Sequence, residues 1–304
     1  MPEVIIPKDV NDWKKHRSRD ITSTEVAALF DCNPYLTEFE LWHRKKNAMI
    51  IDLNQNERMK WGVRLEQSIA LGIAEDNGWE IRPMKEYIRD RELRLGASFD
   101  FKIEGDVQGI LEVKNVDSLA YRDGWILGDD GIEAPPHIEI QVQVQLAVSE
   151  LKVAYIGALI GGNKVILIKR DPNQNVIAEI KRRVDDFWVS LEENIEPAPD
   201  YSKDSAFISQ LYGYSSPGKV MDLTYDEESL DAALRYRELG KEIKEKEVER
   251  DTIKAQLLRK IGDAEKVIGG KYSISAGLVG PAHVEYDRKG YRIFKINWKR
   301  EKKL

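Results

Sequence analysis

Three charged side chains near the middle of the chain could perform metal-assisted chemistry on a phosphate. Asp100 lies in an apolar segment, 96–103, while Glu112 and Lys114 lie two residues apart in the next, 109–114. Two neighbouring carboxylates form an all-oxygen site of the kind that Mg²⁺ prefers, and a lysine beside it can orient water or stabilise charge on a phosphate. The alternative is an ordinary ion pair on a solvated strand face, because short motifs often match by chance.

These two segments predict a β-hairpin that would bring the side chains together. Apolar and β-branched residues dominate both segments, and the glycine-containing stretch 105–109 supplies a turn. Side chains alternate along a strand, so Glu112 and Lys114 share one face, whereas Leu111 and Val113 share the other.

Bulk composition predicts a soluble protein of the cytoplasm. The 304 residues suffice for one large domain with an appendage or for two domains. A single cysteine, Cys32, excludes a disulfide framework. No apolar run approaches the roughly 20 residues of a membrane helix, and residues 1–15 lack the apolar core of a signal peptide. The net charge of -6 argues against indiscriminate nucleic-acid binding but allows a local basic groove.

The N-terminal region contains a candidate phosphate-binding site. Residues 1–12 are expected to have little order, and Thr22 or Ser23 is predicted to cap a short helix. The free N–H groups of such a helix could receive a phosphate, with Arg17 and Arg19 just upstream. The alternative is an ordinary helix cap beside a surface arginine pair.

Residues 54–77 predict a longer helix with a carboxylate in its apolar stripe. Glu66 falls among apolar residues that recur at helical spacing. A charge on a core-facing stripe is costly unless it is paired or binds a metal ion. Glu66 is therefore either a metal ligand or a partner of an arginine such as Arg64 or Arg82.

Farther along, residues 138–148 are ambiguous, because apolar residues alternate with Glu and Gln as in a strand, although the composition also permits a helix. Two strands joined by a glycine turn follow over 153–160 and 164–169, and a strong amphipathic helix begins after Asn173.

The C-terminal third differs in character. We predict a linker over 201–221 and a separate module over 222–304. Within it, 227–261 is rich in Glu, Lys and Arg and predicts one long helix or a helical hairpin, resembling a coiled-coil arm. Short strands are expected at 272–275 and 292–298, before a basic tail over 299–303 that could contact a phosphate backbone or be merely solvated.

Several ordered blocks of residues 1–200 resemble the lambda-exonuclease and YqaJ-type viral recombinase nucleases of the PD-(D/E)xK superfamily. The resemblance implies an α/β (α+β) restriction-endonuclease-like core, a mixed sheet flanked by helices, extended here by the C-terminal helical and small β module. It also favours a helix over 138–148. The blocks are Trp13-x3-Arg17-x3-Ile21-Thr22-x-Thr24-Glu25-Val26, Asn33-Pro34-Tyr35, Glu40-Leu41-Trp42, Trp61-Gly62-x3-Glu66, Asp100, Glu112-x-Lys114 and Gln141-Val142-Gln143 with Leu146-Ala147-Val148-Ser149.

The resemblance also implies roles for individual residues. Lys114 would position or activate the attacking water, with Gln141 nearby. Arg17 and Thr24 would bind the 5′-phosphate of a DNA end, where the family often has Ser in place of Thr24. Arg19 and Gln143 are further candidates. The metal ligands, for Mg²⁺ with Mn²⁺ as a substitute, would be Glu66, Asp100, Glu112 and the backbone carbonyl of Val113.

By resemblance, the protein would resect linear double-stranded DNA, 5′ to 3′, leaving 3′ overhangs for a single-strand annealing protein. It would act as a trimeric ring in a bacterial host, encoded by a phage or prophage. Three alternatives stay open: a non-catalytic DNA-end-binding scaffold on the same fold, a PD-(D/E)xK endonuclease, and an interaction protein dominated by its C-terminal arm.

Overall fold

The computed structural model describes residues 2–49, 57–105, 108–128, 131–288 and 290–297. It divides into two compact units, residues 1–208 and 209–304. The start of the helix predicted from residue 54, the turn residue Asp106, the end of the predicted strand at Trp298 and the basic tail 299–303 lie outside the described residues.

The first unit is built on two sheets and a small hairpin. A five-stranded sheet has the order β11-β10-β7-β6-β3, in which β10 and β7 are parallel and the other neighbours antiparallel. A four-stranded sheet has the order β1-β4-β5-β2, and β8 pairs with β9. The strands are β1 (Glu3–Ile5), β2 (Ile21–Thr22), β3 (Glu80–Pro83), β4 (Tyr87–Asp90), β5 (Leu95–Ala97), β6 (Phe101–Glu104), β7 (Gly109–Val116), β8 (Ile126–Gly128), β9 (Gly131–Glu133), β10 (Ala154–Ile160) and β11 (Lys164–Arg170).

Helices cover both faces of the five-stranded sheet. Leu111 and Val113 of β7 form one apolar cluster with Ile69 and Ile73 of the long helix α3, while Ile110 joins the larger core on the opposite face. The helices of this unit are α1 (Val10–Arg19), α2 (Glu38–Lys46), α3 (Glu57–Asn77), α4 (Ser118–Gly124), α5 (Pro136–Ser149), α6 (Gln174–Glu192) and α7 (Tyr201–Leu211), with a 3₁₀ helix at Val26–Phe30. The predicted mixed sheet flanked by helices is confirmed.

The ambiguous segment 138–148 is helical, as the family resemblance indicated. Helix α5 buries residues around most of its circumference, among them Val142, Val144 and Gln145. A helix enclosed on all sides needs no single apolar stripe, and for that reason its sequence resembles an alternating strand.

The structure differs from the sequence prediction in several segments of the first unit. The predicted strand 96–103 is two strands in different sheets, β5 and β6, and residues 98–100 connect them. Residues 1–12 contain β1 and the start of α1 rather than an unordered leader. The region predicted as a linker, 201–221, contains helix α7, because its buried Asp204 accepts a hydrogen bond from Thr37 Oγ1 and its Phe207 is buried.

The second unit contains one uninterrupted helix, α8 (Glu227–Ile261), and a hairpin of β12 (Lys266–Ile268) and β13 (Ser273–Ser275). Its N-cap Asp226 accepts a hydrogen bond from the N–H of Ser229. Residues 292–297 are not a strand, contrary to the sequence prediction. In the described part of the chain, no helix is both long and apolar enough to cross a membrane.

Candidate active site

The carboxylate of Glu112 is buried at the centre of strand β7 and faces helix α5. Three side-chain donors surround its two oxygens. Lys114 Nζ lies 2.5 Å and Gln141 Nε2 2.6 Å from Oε1, while Gln145 Nε2 lies 2.6 Å from Oε2. Lys114 Nζ also lies 3.2 Å from Gln141 Oε1. Because Gln141 and Gln145 are four residues apart on a helix, they share one face and hold both oxygens of Glu112.

A second carboxylate, Asp100, lies just before strand β6, where the chain has crossed between the sheets. Its Oδ2 accepts a hydrogen bond of 2.8 Å from the N–H of Val113. Burial and the nearby charge of Glu112 raise the pKa of Asp100 well above its ordinary value, and Glu66 of α3 contributes to this rise. Burial and Glu112 likewise raise the pKa of Glu66. The three carboxylates therefore repel one another across one site.

The ammonium group of Lys114 partly balances this negative charge. Burial alone would lower the pKa of Lys114, but the carboxylates of Glu112 and Asp100 outweigh it and raise that pKa. The lysine is consequently held in its charged form, a hydrogen-bond donor rather than a base.

The oxygen-rich donor set fits a hard divalent cation. Carboxylate oxygens are the ligands that Mg²⁺ prefers, and a cation would offset the repulsion that Glu112 exerts on Asp100 and Glu66. Within the described ranges, no three His, Cys, Asp or Glu side chains already lie close enough together to hold a metal ion. Val113, whose backbone carbonyl was another predicted ligand, contacts Asp100 through its N–H.

Glu66, Asp100, Glu112, Lys114 and Gln141 line one open cavity of about 770 Å³. Thr24 and the Asn33-Pro34-Tyr35 segment border it, as does His137 at the start of α5. Burial and the charge of Lys114 lower the pKa of His137, so its imidazole is neutral at pH 7. The cavity is large enough for a nucleotide-sized ligand.

A second polar cluster surrounds Arg17 on helix α1. Its guanidinium donates to Thr24 Oγ1 at 3.2 Å and to Thr22 and Ser98 hydroxyls, both at 3.4 Å. It also lies 4.5 Å from the centre of the Trp13 ring. These hydrogen bonds are long, and each acceptor is an uncharged hydroxyl, so the guanidinium retains its capacity for an anion.

The predicted helix cap at Thr22 or Ser23 is wrong. Thr22 lies in strand β2, and the following 3₁₀ helix has no side-chain cap. Instead, Glu25 Oε2 accepts hydrogen bonds of 2.9 Å from both the N–H and the hydroxyl of Thr22. A carboxylate occupies the place that a helix N-terminus was expected to offer to a phosphate.

Lys45 stabilises the polar cluster around Arg17. Its buried ammonium contacts Glu25 Oε2 at 2.8 Å and the backbone carbonyls of Arg17 and Asp20 at 3.2 and 2.6 Å. Burial opposes the charge of Glu25, but Lys45 and Arg17 outweigh it and lower the pKa of Glu25. The ion pair thus fixes the end of helix α1, from which Arg17 projects.

We expect Lys45→Met to lower the free energy of unfolding of the first unit by about 3 kcal/mol, because it leaves Glu25 buried without its cation. Urea denaturation followed by tryptophan fluorescence would measure the change. Adding Glu25→Gln should recover part of the loss. Lys60→Met, which removes an exposed pair with Glu57, serves as control and should change little. A loss below about 1 kcal/mol for Lys45→Met would contradict the expectation.

Most of the predicted site residues thus lie in two clusters, and two residues lie outside them. Glu66, Asp100, Glu112, Lys114 and Gln141 border one cavity, and Arg17 bonds Thr24 at its edge. Gln143 turns away: its Nε2 donates to the carbonyl of Asp171, and its Oε1 accepts from the N–H of Asn173. Arg19 is exposed, and its carbonyl accepts a hydrogen bond from Arg94.

Sequence reasoning missed three residues at the site: Gln145, Ser98 and His137. The i, i+4 spacing of Gln141 and Gln145 was a usable signal once a helix was assumed. Ser98 lay inside the predicted strand, so its role at a crossing between sheets had no local signal. His137 followed a Pro-Pro pair, a position typical of a helix start.

Comparison with known proteins shows what the first unit is similar to. Residues 12–152 match the model of the YqaJ-like viral recombinase domain. The chain is 26% identical over 267 residues to the uncharacterized protein YqaJ of Bacillus subtilis strain 168, covering 86% of this chain and 81% of the relative. This match to residues 12–152 confirms the resemblance to YqaJ-type viral recombinases that was drawn from the sequence.

Among solved structures, the alkaline exonuclease LHK-Exo from Laribacter hongkongensis is 19% identical, with a TM-score of 0.48. The match covers 66% of this chain and 99% of the exonuclease. A structure of LHK-Exo in complex with dAMP matches with the same identity, coverage and TM-score.

Proposed function

We propose that the protein is a Mg²⁺-dependent deoxyribonuclease that resects linear double-stranded DNA from its ends. The observation that carries this proposal is the direct hydrogen bonding of Lys114 and Gln141 to buried Glu112, with Asp100 and Glu66 on the same cavity. The match of residues 12–152 to the YqaJ-like viral recombinase domain supports the same activity.

Each residue would have a defined task. Asp100, Glu112 and Glu66 would hold the cation, and the carbonyl of Val113 is a further proposed ligand. Mg²⁺ bound there would supply positive charge next to the scissile phosphate.

Lys114, charged and fixed by Glu112, would donate a hydrogen bond to a phosphate oxygen or to the attacking water. Gln141, whose amide contacts both Glu112 and Lys114, would orient that water. Mn²⁺ is proposed as a substitute for Mg²⁺.

The end-binding pocket would consist of Arg17 and Thr24. A terminal 5′-phosphate would replace the long hydrogen bonds of Arg17 to neutral hydroxyls with shorter, charge-assisted ones. Digestion would then run 5′ to 3′ and leave 3′ overhangs for a single-strand annealing protein. By family resemblance, we also propose that the protein forms a trimeric ring, is encoded by a phage or prophage and acts in a bacterial cytoplasm. For residues 222–304 we propose a partner- or DNA-contact module.

Digestion of a linear duplex with a different label at each end of one strand would test the activity. We expect resection from 5′-phosphorylated ends in Mg²⁺ and none in EDTA, while covalently closed circles stay intact. Cleavage of closed circles would instead indicate an endonuclease. Tight end binding without any cleavage in Mg²⁺ or Mn²⁺ would indicate a non-catalytic scaffold.

The Arg17 assignment predicts a selective defect. Arg17→Lys keeps the charge but loses the planar fork, so affinity for a 5′-phosphorylated duplex should fall about tenfold, with little change for a 5′-hydroxyl duplex. Fluorescence anisotropy in EDTA would measure both affinities. Exposed Arg19→Lys is the matched control on the same helix. Equal weakening of both duplexes would mean that Arg17 contacts the DNA backbone rather than its end.

A further inference from the structure

The two clusters of the first unit are joined by hydrogen bonds to the two ends of one residue, the hydroxyl and the backbone carbonyl of Ser98. Arg17 Nη1 donates to Ser98 Oγ at 3.4 Å, and Trp13 Nε1 donates to the same hydroxyl at 2.9 Å. The carbonyl of Ser98 in turn accepts from Gln145 Nε2 at 3.0 Å, and the same nitrogen donates to Glu112 Oε2 at 2.6 Å. One buried amide thus connects the backbone at the phosphate pocket with the central carboxylate.

Gln145 differs from its neighbour Gln143 in how it uses its amide. Gln143 satisfies both ends, through the carbonyl of Asp171 and the N–H of Asn173, as a structural glutamine does. Gln145 is fully buried, and its nitrogen makes two bonds, but its Oε1 has no hydrogen-bond partner in the described structure. Both donors of the Gln145 amide are thus used to join Ser98 to Glu112.

Ser98 lies in a segment that also contains Asp100, so restraints on Ser98 act on a site carboxylate as well. Ser98 lies in the short connection, 98–100, between two sheets, and Asp100 ends the same connection. A phosphate that draws Arg17 away from Ser98 Oγ changes the restraints on this connection. Two routes lead from this connection to the carboxylates, one through Gln145 to Glu112 and one through the backbone to Asp100, and such contiguous contacts are what energetic coupling between sites uses.

We propose that Gln145 is a positioning residue that couples occupation of the Arg17 phosphate pocket to the orientation of the Glu112 carboxylate. This inference rests on the proposed function. Coupling is reciprocal for binding, so a bound 5′-phosphate should strengthen Mg²⁺ binding and Mg²⁺ should strengthen binding of a 5′-phosphate.

The test measures binding without cleavage. Affinities for 5′-phosphorylated and 5′-hydroxyl duplexes carrying nuclease-resistant phosphorothioate linkages would be determined by anisotropy in EDTA and in Mg²⁺. For the wild type, Mg²⁺ should enlarge the preference for the phosphorylated end about fivefold or more. In Gln145→Met, which has similar volume and no hydrogen-bonding amide, the preference should be the same in both buffers.

Two further variants make the result specific. Gln143→Met controls for the loss of a buried glutamine from the same helix and should keep the Mg²⁺-dependent enlargement. Ser98→Ala removes the hydroxyl bonded to Arg17, retains the carbonyl bonded to Gln145, and should lose the enlargement even if Gln145→Met does not fold.

The inference is overturned if Gln145→Met or Ser98→Ala retains the enlargement, or if Gln143→Met loses it as well. It is also overturned if the wild type degrades linear DNA yet shows no enlargement, in which case the proposed nuclease function stands alone. A wild type that neither cleaves DNA nor prefers phosphorylated ends would remove the proposed function itself.

Discussion

Replacing Lys114 with methionine should reduce the rate of duplex degradation about 10³-fold, the scale seen when a preorganised donor in a reaction centre is lost. Methionine approximates the length of the lysine stem but has no charge. It would leave Glu112 and Gln141 without the ammonium group that contacts both. Because the raised pKa of Lys114 keeps it charged, the loss should be nearly independent of pH between 6 and 9.

Single-turnover digestion of end-labelled duplex at saturating protein would measure this effect. Lys169→Met, which removes only an exposed pair with Asp171, is the control and should degrade DNA at nearly the wild-type rate. Circular dichroism of both variants should match the wild type. A rate for Lys114→Met within tenfold of the wild type would show that the lysine is not part of the reacting centre.

Asp100→Asn should remove most of the nuclease activity and yet stabilise the metal-free protein. The amide oxygen can still accept from the N–H of Val113, but the buried charge that repels Glu112 and Glu66 is gone. We expect a gain of about 1 kcal/mol in the free energy of unfolding at pH 7, the usual size of a stabilising change at a strained functional site. The activity should fall by at least about 10², because a proposed metal ligand loses its charge.

The sign of the pH dependence follows from the raised pKa of Asp100. The folded state keeps a proton on Asp100 at pH values where the unfolded chain, with a pKa near 3.8, has lost it. Stability therefore falls as the pH rises from that value through the folded pKa. The difference in melting temperature between Asp100→Asn and the wild type should accordingly be small near pH 4 and larger at pH 7, measured in EDTA.

Metal addition gives an independent check on the same variant. Mg²⁺ should raise the melting temperature of the wild type by mass action and that of Asp100→Asn much less. Asp171→Asn, an exposed aspartate in a surface pair, should behave as the wild type in both buffers. Equal melting curves for Asp100→Asn and the wild type at every pH would mean that the three carboxylates do not repel one another in the folded protein.

Elements with a local signal could be predicted from the sequence. Alternation along 109–114 predicted the strand that the structure shows as β7 and placed Glu112 and Lys114 on one face, where they contact each other. The amphipathic helix predicted after Asn173 is α6, and the side chain of Asn173 caps it by accepting the N–H of Val176. Such features depend on neighbours one to four residues away, so the pattern is complete within the sequence.

Features that depend on distant partners could not be predicted from the sequence and were seen only in the fold. Helix α5 resembled a strand, because burial from all sides removes the helical stripe from a sequence. Which glutamine reaches Glu112 depended on how α5 rotates against β7. That rotation selects Gln141 and Gln145 and turns Gln143 toward Asn173.

The connection 98–100 and helix α7 also depend on distant partners. The apolar run 96–103 carries no mark of the point where the chain leaves one sheet for another, yet that crossing places Ser98 beside Arg17 and Asp100 beside Val113. Helix α7, in a stretch predicted as linker, brings Asp204 to Thr37, 167 residues away in sequence. The sequence specifies which side chains can react, whereas packing between remote segments decides which of them meet, because burial and hydrogen bonding depend on three-dimensional neighbours.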